Sequence, residues 1–157
     1  MGILIRPLLP EDRDAIEMLI RATGVFRPEE IQVAMEVVDA GLKEGQTDYA
    51  FAVAASADSI AGYACWGRTP CTQGTYDLYW IATHPAFQGQ GVGRALMDAA
   101  RGDMRSQGGR LCVIETSSLP EYEPTRRFYL GLGCETAALI RDFYLPGDHK
   151  VVFTLKL

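Results

Sequence analysis

Asp77 and three closely spaced glycines, Gly89, Gly91 and Gly93, are the residues whose types and spacing point to chemistry. Asp77 lies in Tyr76-Asp77-Leu78-Tyr79-Trp80-Ile81-Ala82-Thr83, a strand pattern otherwise rich in aromatic and apolar residues. A carboxylate there costs free energy unless it is paired or wet, so it is either used or pins a loop by hydrogen bonds. The glycines follow that strand and precede a segment in which Val92, Leu96, Ala99 and Ala100 fall at helical spacing. A helix that starts in a glycine loop presents unpaired N–H groups and the positive end of its dipole. That arrangement suits an anion, most often phosphate.

The ligand class narrows by elimination. A nucleotide P-loop needs Lys-Ser or Lys-Thr after its last glycine, and none is present. The dinucleotide fingerprint G-x-G-x-x-G fails in both frames, because Arg94 or Leu96 stands where its last glycine belongs. What remains is Gln88-x-x-Gly91-x-Gly93 after a strand that ends in His84-Pro85. This resembles the acyl-CoA loop of the GNAT superfamily of N-acetyltransferases, whose pattern is Arg/Gln-x-x-Gly-x-Gly/Ala. Downstream, Thr125-Arg126-Arg127-Phe128-Tyr129-Leu130-Gly131-Leu132-Gly133 is similar to a second segment of that family, Ala-x-x-Phe-Tyr-x-x-x-Gly-Phe. Two positions depart from it. Tyr122 stands where many members have asparagine, and Cys134 replaces the aromatic after the last glycine.

The resemblance implies a division of labour. Backbone N–H groups of Gly89, Gln90, Gly91, Val92, Gly93 and Arg94, with Gln88 opening the loop, would hold the pyrophosphate of acetyl-CoA. Arg94 either adds charge near a phosphate or is a solvated helix-surface arginine. The backbone of Ile81, Ala82 and Thr83 would pair with the pantetheine arm, and an N–H there, first of all that of Ile81, would bind the thioester oxygen. Tyr129 would give a proton to the departing thiolate; a phenol of pKa about 10 is protonated at neutral pH and can do so. Asp77 is the candidate general base, with Glu115 and Glu29 behind it. Alternation places Asp77 on the face of Tyr79 if no bulge intervenes. His84, just before a proline, fits a turn or cap better than catalysis. Arg126 and Arg127 read as a solvated helix face. The expected reaction moves acetyl to a primary amine, of a small molecule or a peptide, by direct attack in a ternary complex. The alternatives are a CoA-binding sensor without turnover, or an enzyme using a longer acyl-CoA.

The elements that must position these residues follow from pattern and punctuation. Ile3–Arg6 reads as a strand, Asp12–Ala22 as a helix, and a second helix opens at Pro28 and is closed by Gly45. Tyr49–Ala55 and Ile60–Arg68 form a hairpin before the central strand. The helix after the glycine loop runs to about Ser106, Arg110–Thr116 is a strand, and Thr125–Leu130 a short helix. Thr136–Phe143 and Val151–Leu155 close the chain. The order β-α-α-β-β-β-α-β-α-β-β, neither strict βαβ alternation nor all-β, predicts a mixed sheet with helices on both faces. It is also the order of the GNAT fold, which implies a mostly antiparallel sheet of about seven strands with about four helices, in one domain over residues 1–157.

Composition sets the remaining bounds. Of 157 residues, 48% are apolar, which fits an ordered globular chain. The formal net charge of −5 argues against nucleic acid as the main partner, because phosphate binding needs a basic face. It is compatible with a cationic amine, and is also ordinary for a soluble protein. Cys65, Cys71, Cys112 and Cys134 form no C-x-x-C pair and the two histidines are far apart in sequence, so no zinc site is expected. A reduced, cytoplasmic setting suits them. No apolar run reaches the ~18 residues of a membrane span, and residues 1–7 lack the features of a signal peptide. A homodimer is compatible with the fold.

Overall fold

The structure is a computed structural model that describes residues 2–157. Its elements are β1 (Leu4–Arg6), α1 (Arg13–Thr23), α2 (Pro28–Gly41), β2 (Ala50–Ala55), β3 (Ile60–Arg68), β4 (Thr75–Thr83), α3 (Val92–Ser106), β5 (Leu111–Ser117), α4 (Glu123–Gly131), β6 (Glu135–Leu145) and β7 (Asp148–Lys156). The order is the expected one, and most boundaries differ by a few residues. Two shifts have clear causes. Helix α4 starts before Pro124 because proline is tolerated in a first helical turn. Helix α2 ends at Gly41, where a side chain would collide with the Phe51 ring; Gly45, expected to close the helix, instead turns the chain with φ of 77°.

The sheet has seven strands in the order β1-β2-β3-β4-β5-β7-β6. Only β4 and β5 run parallel; every other neighbouring pair is antiparallel. On one face, Leu96, Met97, Ala100 and Met104 of α3 pack with Tyr76, Leu78, Ile114 and Phe153. On the other, Ile16, Leu19 and Ile20 of α1 and Ala34 and Val38 of α2 pack with Val53, Tyr63 and Cys65. Each fully buried large aliphatic side chain contributes about 1.5–3 kcal/mol, so the central strands are clamped from both sides. Edge strand β6 differs: all of its residues except Tyr144 are exposed.

Strand β4 carries the feature that makes a site. Cys65 pairs with Trp80 while Trp66 pairs with Leu78, which leaves Tyr79 as an extra residue. This β-bulge interrupts the alternation on which the shared face of Asp77 and Tyr79 depended. Its effect shows in the packing. Tyr76 and Leu78 lie on the α3 face, whereas Ala82, with Trp80 against it, belongs to the α1–α2 face. A bulge also bends its strand, and the bend falls where β4 leaves β5. The β4–β5 ladder runs from Thr75–Leu111 to Leu78–Ile114 and stops. Beyond it β4 stays with β3 as far as Thr83, and β5 stays with β7 as far as Ser117. The two strands therefore diverge and open a gap in the middle of the sheet.

Candidate functional site

The gap opens into a cleft of about 600 Å³. Asp77, Tyr79, Trp80 and Ile81 line it from β4, and Glu115, Thr116 and Ser117 from β5. Phe26, Arg27, Glu29 and Glu30 approach from the start of α2, Tyr122, Thr125 and Tyr129 from α4 and the turn before it, and Tyr144 and Asp148 from the β6–β7 end.

Backbone hydrogen bonding fixes what β4 offers to the gap. The His84 N–H donates to Ala61 C=O at 2.8 Å. In an antiparallel ladder, bonded and non-bonded residues alternate, so with Ala82 opposite Tyr63 and Ile81 opposite Ala64 the amides of His84 and Ala82 turn toward β3. Consistently, the Ala82 carbonyl lies 2.7 Å from where a Cβ on Gly62 would sit. Ile81 and Thr83 therefore direct their N–H and C=O groups into the gap. Ala82, expected to join them, does not: its backbone is committed to β3 and its side chain to the α1–α2 core.

The glycine loop lies at the end of that edge. Helix α3 begins at Val92, and its first helical bond runs from Ala95 N–H to Gly91 C=O at 3.0 Å. Among the described residues, the amides of Gly89, Gln90, Gly91, Val92, Gly93 and Arg94 have no acceptor. Gly89 and Gly91 take φ of 75° and 82°, which glycine adopts without strain. Gly93 is helical, and its missing side chain serves packing: a Cβ there would lie 3.2 Å from the Phe128 ring of α4. Gly62 contributes from β3, since a Cβ would also press on Val92 and Leu96 at 3.0 and 3.1 Å. The side chains of Gln88 and Arg94 are exposed.

Tyr129 packs beside Phe128 and Phe153, is 5% exposed, and borders the cleft from the α3–α4 side. Burial pushes its phenol well above its ordinary pKa, with a smaller push from the nearby Cys112 and Cys134. The group therefore stays protonated throughout the neutral range. Asp77 borders the cleft and accepts a hydrogen bond from Thr69 Oγ1 at 2.7 Å, so it also pins the loop before β4. Of the alternative carboxylates, Glu115 is 2.8 Å from Lys150 Nζ, and Glu29 lies 3.9 Å from Arg27. His84 acts as a cap, its Nδ1 accepting from Ala86 N–H at 3.1 Å. Arg126, expected on a solvated face, instead donates from Nη1 to the carbonyls of Ser117 and Leu119 at 2.7 and 2.9 Å, tying α4 to the end of β5. Arg127 pairs with Glu123 on the surface.

The wall facing β4 was the part least visible in the sequence. Tyr122 donates to Val25 C=O at 3.3 Å and packs edge-on against Phe26, joining the turn before α4 to the α1–α2 loop. Asp148 sits in the turn sequence Pro146-Gly147-Asp148 and gives no sign of a buried role, yet it is 5% exposed and borders the cleft. The lining holds five carboxylates, of Glu29, Glu30, Asp77, Glu115 and Asp148; against them stand the guanidinium of Arg27 and the Lys150 ammonium paired to Glu115, so negative charge is in excess and the field inside favours a cation.

A parallel strand pair that parts beside a loop of free amides defines a fold able to hold a phosphate-bearing carrier along a strand edge. Comparison with known proteins agrees. The sequence model of the acetyltransferase (GNAT) domain matches residues 47–135. A crystal structure from Desulfovibrio desulfuricans, described as of the GNAT family, is 44% identical and superposes with a TM-score of 0.94 over 99% of both chains. A mycothiol acetyltransferase from Kineococcus radiotolerans is 31% identical over 139 residues, 87% of this chain and 44% of the relative, so the chain spans less than half the length of that relative. The PaiA N-acetyltransferase of Thermoplasma acidophilum, solved with coenzyme A, shares the fold at 16% identity and a TM-score of 0.79 over 100% of both chains. The chain belongs to the GNAT acetyltransferase family. Among the described residues, no helix is long and apolar enough to cross a membrane.

Proposed function

We propose that this protein is an N-acetyltransferase that moves the acetyl group of acetyl-CoA to a primary amine by direct attack in a ternary complex. One observation carries the reading: the outward-facing edge at Ile81 and Thr83 connects six unpaired amides at one end to the cleft bordered by Tyr129 and Asp77 at the other. The loop amides fit a pyrophosphate, since a helix start with free N–H groups compensates anionic oxygens. Bound there, acetyl-CoA supplies an activated acetyl thioester.

The chain's own groups do the rest. The Ile81 N–H donates to the thioester oxygen as negative charge gathers on it; a preorganised donor of this kind is worth on the order of 3 kcal/mol. Asp77, directly or through a water, takes a proton from the acceptor ammonium. The acceptor nitrogen forms the new C–N bond as the C–S bond breaks, Tyr129 passes its phenolic proton to the leaving sulfur, and the acylated nitrogen sheds its second proton, directly or through water, to restore the phenol. No enzyme nucleophile is needed. Burial pushes the Cys65 thiol far above its ordinary pKa, and Cys112 up to about 12, which leaves little thiolate at neutral pH.

The test is thiol release from acetyl-CoA across a panel of amines, with CoA affinity measured separately by calorimetry. Acceptor-dependent release and amide formation, detected by mass, are the expected result. CoA binding without release by any amine would point to a sensor, and absence of CoA binding would overturn the reading of the loop.

A further inference from the structure

Asp148 is a buried carboxylate that the acetyl-transfer chemistry leaves unused. It opens β7 immediately after Gly147, whose φ of 85° turns the chain inward, and it lies against Ser117. Its Oδ1 accepts the Ser117 hydroxyl, and among the described residues its Oδ2 has no hydrogen-bond partner. One neutral donor leaves Oδ2 open toward the cleft that Asp148 lines, free to accept from a further donor there. Arg27 is close enough to feel the Asp148 charge but makes no ion pair with it, its nearer partner being Glu30. Arg27 Nε lies 3.0 Å from Glu30, and Lys150 Nζ lies 2.8 Å from Glu115.

The location fits an acceptor group. Ile81 and Ser117 both lie beyond the last bonded pair of the two strands, Leu78–Ile114, Ile81 two ladder positions on because Tyr79 is bulged out and Ser117 three, so both border the opened gap. Asp148, bonded to Ser117 at the end of β5, and Ile81 on β4 line the same cleft from the two sides of the gap. Two aromatic rings, Tyr122 and Tyr144, line the cleft with it. The carboxylates of Glu30 and Asp148 act on both phenols, and burial is the main reason their pKa values are raised, that of Tyr144 to about 12. The Tyr122 hydroxyl is held by Val25, which leaves its ring as a wall.

We propose that Asp148 anchors a second positive charge of the acceptor, so that the preferred substrate is an amine carrying a further ammonium or guanidinium group, held between Tyr122 and Tyr144 while its free amine reaches Ile81. This rests on the transferase reading for the reacting end, whereas the anchor itself is a binding site that can be measured alone.

The test is calorimetric titration of the CoA-loaded protein with diamines of three to six carbons, 4-aminobutylguanidine, butylamine and 4-aminobutanoate. The expected result is that the best dication binds at least tenfold more tightly than butylamine, and 4-aminobutanoate more weakly than butylamine. Asp148→Asn keeps an oxygen for the Ser117 hydroxyl, and is expected to erase the dication preference while CoA affinity is unchanged. Ser117→Ala retains the charge and is expected to keep the preference. A wild-type protein that does not distinguish dications from butylamine overturns the proposal, as does an undiminished preference in folded Asp148→Asn. If Asp148→Asn does not fold, the wild-type ligand series decides by itself. Parallel assays of acetyl transfer separate the two readings. Tight dication binding without transfer leaves the anchor and removes the transferase, whereas transfer to all amines alike leaves the transferase and removes the anchor.

Discussion

The two sides of the cleft are made of different material. On the side proposed for the acetyl donor, the groups on offer are backbone amides and carbonyls: Ile81 and Thr83 along the strand edge, and the six amides of the loop. On the side proposed for the acceptor they are side chains from four separate segments, among them Glu30, Tyr122, Tyr144 and Asp148. A backbone site depends on chain path, so it needs glycines and a bulge and tolerates variation in the side chains around it. A side-chain site can change its ligand by single substitutions without moving the frame. The same fold can therefore keep one donor while its acceptor wall is rebuilt.

Breaking the donor side is expected to have the largest effect. Gly91→Val forces a β-branched residue into the left-handed region at the cap of α3, at a cost of at least ~1–2 kcal/mol in the loop conformation. CoA affinity is expected to fall by about 100-fold by calorimetry, with the acceptor wall untouched. A Gly91→Val protein with wild-type CoA affinity would show that the free amides are not the phosphate site.

Tyr129→Phe comes next, and sharpens the comparison because it removes one proton donor without altering the backbone site. Turnover is expected to drop about 100-fold while CoA affinity stays within threefold. Since burial raises the phenol pKa, the acid form persists to high pH, and loss of the Tyr129 proton is expected to produce no decline in the wild-type rate below about pH 10. Asp77→Asn is expected to lower turnover by roughly 10- to 100-fold, with a loss that raised pH does not restore. Glu115→Gln is the contrast on the neighbouring strand: with Glu115 paired to Lys150, the change in turnover is expected to stay within threefold.

The smallest effect belongs to a second buried tyrosine. Tyr63 is fully buried in the α1–α2 core, and its hydroxyl has no hydrogen-bond partner among the described residues. Tyr63→Phe removes an uncompensated polar group and is expected to leave turnover unchanged and hold or raise thermal stability, by up to ~1 kcal/mol. Set beside Tyr129→Phe, it separates a hydroxyl in a closed core from one that borders the cleft.

Legibility from the sequence followed the same divide. The strand, the glycines and the Phe128-Tyr129 segment are contiguous patterns, and each has a local cause: φ above zero at Gly89 and Gly91, helical spacing from Val92, and proline after His84. Gly93 was legible as a required glycine but not for its reason, because Phe128 lies 35 residues away in the chain. The bulge at Tyr79 was not legible, since nothing in the residue types forces two residues of β4 to oppose one of β3. With it went the orientation of Ala82, which turns to β3 rather than to the gap. Arg126 looked like half of a surface pair, and only the return of β5 beside α4 gives it two carbonyls to hold.

By itself the sequence determined the element order, the glycine loop before α3 and the place of Tyr129 in α4, because these depend on local dihedral preference, periodicity and chain-adjacent hydrogen bonding. Tertiary structure decided where the sheet opens, which amides face the opening, and that a turn aspartate, Asp148, lies buried against Ser117 at the edge of the cleft. Those outcomes depend on register and on contacts between distant segments, and a free-energy balance summed over such contacts leaves no mark on any short stretch of chain.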